Sequence, residues 1–496
     1  MATKAIREQR LGNQTPGMRL AGLALGLAFL SAMPAAARDL PAVKPVLDCS
    51  ALAKIVLANP EAPGRVESAA VVTTGTPSPY CDVKGYVTPQ VRFELHLPTV
   101  NWTQRLLFEG CGGFCGAIRL GAVRAAEGCQ PVTNGEFILV TSDLGHASQG
   151  MDAVWAADKQ LRVDFGYRGV HVTTLAAKEI VARFYGRPQA FAYFNGCSDG
   201  GREAMVEVER YPADYNGVVS GASVVNETAN NTIFHAWALQ HVQHPDGSNV
   251  FSDAALTMLH NAAVAACGEK DGLIGDPEQC HFDPGSTACK GGEAVDSCLT
   301  PEQVRAARDI YIGAQGPDGR AIYFGYPIGS ELGWNRQVAG VAGWRVGSFP
   351  GYLASDPPSL TAEMSNVAFT PEAVKKLNVF GADLNALNPD IRPFQSAGGK
   401  LIMWHGWADP AVPSMSSVTF FRAIRGKAGA ATDAFVRLYM LPGVGHCGGG
   451  QGPDKADLMT AIMAWTEDGI APGAITVNKK DGTGPVTATR TIQPFR

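Results

Sequence analysis

Charge is scarce in this chain of 496 residues: 18% are Asp, Glu, Lys or Arg, and the formal net charge is −5. Dense Lys/Arg runs are missing, which argues against a nucleic-acid partner. Internal repeats and low-complexity tracts are missing too. After the N-terminal region no apolar run is long enough to cross a bilayer, so a soluble mature protein without a membrane partner is expected. No Cys-x-x-Cys motif occurs, which counts against a dithiol redox pair. No histidine stands at zinc-finger spacing from Cys111, Cys115 and Cys129, which counts against a zinc site there. What the chain does have is 46% apolar residues, enough to bury a sizeable core. Its length fits two or three domains, or one large domain with an insertion.

The N-terminus reads as an export signal. Lys4, Arg7, Arg10 and Arg19 precede "LAGLALGLAFLSAM", and "PAAARDL" supplies an Ala-x-Ala site with cleavage expected after Ala37. Met18 is an alternative start. A secreted or periplasmic location follows, and there the eleven cysteines read first as disulfides. The odd count leaves at least one thiol unpaired within the chain.

Past a signal at 1–37, residues 38–223 alternate strand-like and helix-like segments. "QRLLFEGCGG" and "EFILVTSDLG" are apolar runs that stop at glycines. "GVHVTTLAAKEIVARFYG" carries Val172, Leu175, Ala176, Ile180 and Val181 near helical spacing. This alternation predicts a parallel sheet covered by helices. Residues 224–395 are rich in Gly, Pro, Asn and aromatics and read as an inserted lid domain. Strand patterns resume over 396–496, so one interrupted sheet is expected, an α/β class fold.

The chemistry centres on "FAYFNGCSDGGR". Gly196-Cys197-Ser198-Asp199-Gly200 matches Gly-x-Ser-x-Gly, with a strand before it and a helix after it. That context lifts a serine hydroxyl above the sheet rim at a helix N-terminus. Such a serine needs a base, a histidine held by a carboxylate, in the chain order Ser, Asp, His. Asp409 in "KLIMWHGWADP" and His446 in "FVRLYMLPGVGHCGGG" follow strand-like runs, where a parallel sheet presents its C-terminal edge. His405 precedes Asp409, fits that order badly, and is expected to line the pocket. Cys197 precedes Ser198 and Cys447 follows His446. If the two side chains meet, their neighbours are close enough to bridge, so a Cys197–Cys447 disulfide is expected. The chain-entropy model gives so long a closure about 5 kcal/mol at most.

Taken together, Cys-Ser, Asp and His-Cys resemble the tannase/feruloyl esterase family. "NWTQRLLFEGCGGFCGAI", "TSDLGH", "CLTPEQVRAARDIYIG", "HGWADPAVP" and the long block around Ser198 share the resemblance, which covers most of the chain after the signal. It implies an α/β-hydrolase fold with a large inserted lid domain. It implies a serine carboxylic-ester hydrolase acting on aromatic esters of feruloyl, galloyl or terephthaloyl type, with Ser198 as nucleophile, Asp409 orienting and His446 as base. A secreted binding module with a silent site is the alternative, and an intact Ser, Asp and His in order argue against it. One oxyanion donor is expected at the Asp199 amide. The resemblance points to Gly112 for the other, with Gly113 beside it.

The resemblance also implies a structural calcium in the lid. The matching segment "CGEKDGLIGDPEQC" offers Asp271, the Leu273 carbonyl and nearby Glu269. Calcium wants six to eight oxygens, so a degenerate site is expected and no cofactor is required. Cys267–Cys280 is expected to close this loop. Cys49–Cys81 and Cys289–Cys298 are expected partly by resemblance, and the pairing among Cys111, Cys115 and Cys129 stays open. Aromatic walls for a flat acid are sought in the lid, at Tyr326, Trp334, Trp344 and Phe349. Arg336 or Arg345 is the candidate partner for a free substrate carboxylate.

Overall fold

Strands with both faces covered are nearly continuous runs of apolar residues, whereas a strand with one wet face alternates. Both kinds occur in one sheet here. In the computed structural model, which describes residues 38–120, 123–148, 150–291, 297–342, 349–355, 359 and 362–496, ten strands join in the order β1-β2-β3-β4-β6-β5-β7-β8-β9-β10. They are β1 (Val56–Leu57), β2 (Gly64–Val72), β3 (Tyr80–Val87), β4 (Val91–Pro98), β5 (Arg105–Glu109), β6 (Ile138–Ser142), β7 (Phe191–Cys197), β8 (Gly217–Gly221), β9 (Lys400–Gly406) and β10 (Val436–Leu441). The pairings from β1 to β4, and of β4 with β6, are antiparallel. The rest, from β6 to β10, are parallel. β4 alternates buried with partly exposed positions, while β7 and β9 are buried after their first residue.

Helices cover both faces. α1 (Gly169–Tyr185) and α2 (Asp199–Arg210) pack on one, in a core that includes Phe108, Ile180, Phe194 and Met205. α1 stops at Gly186, whose φ of 68° is the left-handed value that glycine tolerates. Between Gly221 and Lys400 the chain leaves the sheet and forms α3 (His235–Val242), α4 (Asp253–Cys267), α5 (Pro301–Ile312), α6 (Trp334–Ala342) and α7 (Pro371–Leu384). This insertion has a core of its own, built on Phe234, Leu256, Leu259, Ile310, Tyr326 and Trp334. α8 (Ser414–Ala428) and α9 (Leu458–Asp468) follow β9 and β10. α9 packs on the other sheet face with Tyr193, Ile402 and Tyr439. A small antiparallel sheet of β11 (Lys455–Ala456), β12 (Ile475–Lys480) and β13 (Val486–Ile492) closes the described chain. None of the described helices is long and apolar enough to cross a membrane.

Five bridges join Cys49–Cys81, Cys111–Cys115, Cys197–Cys447, Cys267–Cys280 and Cys289–Cys298. The three cysteines of the glycine-loop region do not cluster. Cys111 and Cys115 pair, and Cys129 is a buried free thiol 3.9 Å from the Met463 sulfur. The signal region, Trp344 and Arg345 lie outside the described residues.

Candidate active site

A strand that must turn into a helix within one residue forces that residue into a strained conformation. Ser198, between β7 and α2, has φ 68° and ψ −121°, a region L-residues rarely occupy. The turn is so tight that a Cβ on Gly196 would lie 2.3 Å from the Gly200 carbonyl oxygen. A Cβ on Gly200 would lie 2.5 Å from the Cys111 carbonyl oxygen in the loop after β5. Glycine at both places lets the nucleophile turn and the glycine loop touch.

The loops after β7, β9 and β10 meet at the C-terminal rim of the parallel strands. Ser198 Oγ lies 2.7 Å from His446 Nε2, and His446 Nδ1 lies 2.7 Å from Asp409 Oδ2. The other Asp409 oxygen accepts from the Ala411 and Val412 amides at 2.8 and 3.0 Å. Burial would raise this carboxyl's pKa, but the charge of His446 and the hydrogen bonds from His405 and His446 outweigh it and hold the group below its ordinary value. The Cys197–Cys447 bridge, with an S–S distance of 2.01 Å, sits directly behind the serine and the imidazole.

The Asp199 carboxylate is not aimed at the site. It pairs with Arg202 at 2.6 Å in a buried contact, and Arg202 also donates to the Gly166, Leu384 and Phe165 carbonyls. The Asp199 backbone N–H stands at the first position of α2, directly after Ser198, among the amides that a helix leaves unpaired at its N-terminus. In the glycine loop, Cys115 N–H donates to the Gly112 carbonyl and Phe114 N–H to the Gly150 carbonyl. The Gly112 and Gly113 amides donate to no acceptor among the described residues.

Cavities open on two sides of Ser198. The smaller, about 330 Å³, runs toward the lid between Phe114, Met151, Val224, Val341 and Val412, with Arg336 and His235 also on its wall. Burial, helped by the charge of His446, lowers the His235 pKa to about 3. The larger, about 680 Å³, has a polar floor of Glu109, Thr141 and Asn195 and carries Arg119 and Arg124.

Several positions picked from sequence lie elsewhere. His405 lines neither cavity. It is fully buried behind Asp409, with Nε2 3.1 Å from Asp409 Oδ2 and Nδ1 2.8 Å from Ser417 Oγ. Trp334 is a core residue of the insertion, its indole N–H donating to Ser330 Oγ at 3.0 Å. Tyr326 shares that core, and Phe349 packs against Phe114 with ring centroids 5.7 Å apart. Glu109, Arg119, Arg124 and His235 were not singled out. Glu109 ending an apolar strand just before a glycine loop was the one available signal.

The segment with Glu269, Asp271 and Leu273 does not fit a calcium ion. Arg490 of β13 ion-pairs with both carboxylates, at 2.7 Å to Glu269. The Leu273 carbonyl accepts from the Glu269 amide at 2.8 Å, and Asp271 Oδ1 accepts from the Leu273 amide at 3.2 Å. A guanidinium already supplies the positive charge, and the oxygens are too few and engaged.

The family profile described as "Tannase and feruloyl esterase" matches residues 71–495. The chain is 28% identical over 478 residues to the mono(2-hydroxyethyl) terephthalate hydrolase of Piscinibacter sakaiensis, covering 80% of this chain and 77% of that one. It is 28% identical over 404 residues to a probable feruloyl esterase B-2 of Aspergillus terreus, covering 76% and 73%. The crystal structure of feruloyl esterase B from Aspergillus oryzae superposes with a TM-score of 0.76 at 23% identity, covering 89% of this chain and 93% of that one. The fold is that of an α/β-hydrolase.

Proposed function

The chain belongs to the tannase and feruloyl esterase family of carboxylic ester hydrolases, and on that premise we propose that it cleaves esters of aromatic acids through Ser198, His446 and Asp409. The acids are of feruloyl, galloyl or terephthaloyl type, and the protein acts in the periplasm or outside the cell without a metal cofactor. The observation that carries this reading is the continuous relay from Ser198 Oγ through His446 to Asp409, with both links at 2.7 Å. The five bridges support an oxidising compartment.

In the proposed mechanism His446 Nε2 takes the Ser198 proton as Oγ attacks the ester carbonyl carbon. The negative charge moves onto the carbonyl oxygen, where the Asp199 amide and the Gly112 and Gly113 amides donate to it. His446 then returns its proton to the alcohol oxygen, the ester C–O bond breaks and the alcohol leaves. Water, deprotonated by the same imidazole, attacks the acyl-enzyme, and the aromatic acid departs as Ser198 regains its proton. Asp409, accepting from His446 Nδ1, keeps the imidazole in the working tautomer and stabilises its cation. The apolar lid-side cavity suits the aromatic acyl group, and Arg336 on its wall is placed for a carboxylate on that ring.

Ser198→Ala is expected to abolish release of acid from a panel of chromogenic and natural aromatic esters while leaving Tm within about 1 °C. Residual hydrolysis by that variant, or failure of a fluorophosphonate probe to label the wild-type serine, would sink the reading.

A further inference from the structure

Two consecutive glycines are an awkward place to keep oxyanion donors. Glycine loses more conformational freedom on folding than any other residue, and such a donor works only if it is fixed before the charge appears. Here the loop is closed on itself. A disulfide joins Cys111 to Cys115 across Gly112, Gly113 and Phe114, and inside that ring the Cys115 N–H donates to the Gly112 carbonyl at 3.2 Å. Gly113 has φ 65°, and Cys115 has φ 57°, a left-handed value that a residue with a side chain holds only where its surroundings fix it.

The ring has a seat on α2. Asp199 and Glu203 are four residues apart, so their side chains leave the same face of that helix. Glu203 Oε1 lies 2.7 Å from Cys111 Sγ and 3.3 Å from Cys115 Sγ, and Asp199 Oδ2 lies 3.4 Å from Cys115 Sγ. Glu203 is buried, and its Oε2 has no hydrogen-bond partner among the described residues. Burial, and after it the charge of Asp199, raise this carboxyl well above the ordinary range, so it meets the sulfurs protonated. A carboxylic acid O–H can donate to a disulfide sulfur, whereas a carboxylate would set lone pairs against lone pairs. A buried acid with one orphaned oxygen is a poor stabiliser compared with a leucine of similar size, which leaves its place beneath the loop to be explained by what it holds.

Resting on the esterase reading above, we propose that Glu203 is a positioning residue for the oxyanion: through the Cys111–Cys115 ring it fixes the Gly112 and Gly113 amides relative to the Asp199 amide, which starts the same helix. Phe114 is anchored separately, against Phe165 and Phe349 with ring centroids 6.3 and 5.7 Å away, so slack in the ring reaches the glycine amides before it reaches the acyl wall. The device serves a charge that exists only in the transition state, so it acts on kcat and not on KM.

The test follows methyl ferulate hydrolysis and the rate of phosphonylation by a fluorophosphonate, which needs the same oxyanion donors. Glu203→Leu is expected to leave Tm within about 2 °C of wild type. With KM unchanged, it is expected to lower kcat and the phosphonylation rate together by about tenfold, less than the roughly 10²–10³ for removing a donor outright, because the amides are loosened and not lost. Glu203→Gln keeps a neutral donor in that place and is expected to recover most of the loss. Cys111→Ser with Cys115→Ser opens the ring, leaves Cys197–Cys447 intact, and is expected to show the same split. Added to Glu203→Leu it is expected to take kcat little further, since both act through one loop. Losses that multiply to about a hundredfold, an unchanged kcat in the folded variants, or a change in KM alone would overturn the inference and leave the esterase reading standing. If Glu203→Leu does not fold, the cysteine pair decides alone by the same split of kcat from KM. A wild type that neither cleaves the ester nor takes up the probe would sink the esterase reading, and this inference with it.

Discussion

Asp409 stands between two imidazoles, and only one of them reaches the serine. The other, His405, has acceptors on both sides of its Nε2: Asp409 Oδ2 at 3.1 Å and the Val412 carbonyl at 3.2 Å. Nε2 therefore carries the proton, and Nδ1 accepts from Ser417. A buried donor of this kind keeps Asp409 ionised and fixes which of its oxygens faces His446. Replacing His405 with Ala is expected to lower kcat about tenfold with little change in KM, since a hydrogen bond to a buried charge is lost without touching substrate. The acid limb of the kcat profile is expected to move to higher pH. A variant that raises KM alone would return His405 to the pocket wall where sequence reasoning had put it. That misplacement has a physical cause. β9 is covered on both faces, so strand alternation carries no information about which side a residue faces. Ser198, Asp409 and His446 were legible because each follows an apolar run that stops in a loop, and parallel strands deliver such loops to one rim.

At the level of elements, one arginine joins the insertion to the small sheet. Arg490 of β13 reaches across to Glu269 and Asp271 in the loop closed by Cys267–Cys280. The acids are about half exposed, at 55% and 47%, so each pair is worth little singly. Arg490→Ala is expected to lower Tm by about 2–3 °C, whereas EDTA or millimolar calcium is expected to leave the wild-type Tm unmoved. A calcium-dependent rise in wild-type Tm would show that the guanidinium does not stand in for an ion. The few acidic residues of this segment could be read from the sequence, but their arginine partner lies far along the chain and could not. The lid aromatics were illegible for a similar reason. Trp334 at helical spacing looks the same whether it faces a cavity or the core of the insertion, and here it faces the core. The larger cavity beside Ser198 was missed because its lining comes from separate stretches of chain, at residues 109–113, 115, 117, 119, 120 and 124, at 141, 148 and 150, at 195–198, and at 446 and 447.

The whole molecule carries an uneven stock of buried acids. Burial raises Asp143 to about 6 and Glu109 to about 7, and it raises Glu203, Glu207 and Glu227 well above the usual carboxylate range. An acid that stays protonated when folded, but ionises near pH 4 when unfolded, stabilises fully below pH 4. It contributes less and less as pH climbs to its folded value. Asp409 has the opposite sign: its contribution is present above about pH 4 and is lost on acidification. Five groups of the first kind outweigh it, so Tm is expected to be highest near about pH 4 and to drop several degrees by about pH 8. Glu109→Gln is expected to flatten part of that slope, and a Tm that climbs from pH 5 to 8 would contradict the accounting. The bridge between Cys197 and Cys447 spans 250 positions, and it imposes an order of events on biosynthesis. Nucleophile and base are joined only after the ribosome has finished nearly the entire polypeptide and an oxidant has met both thiols. A copy held in a reducing compartment would lack this covalent tie between the turn of Ser198 and the loop of His446.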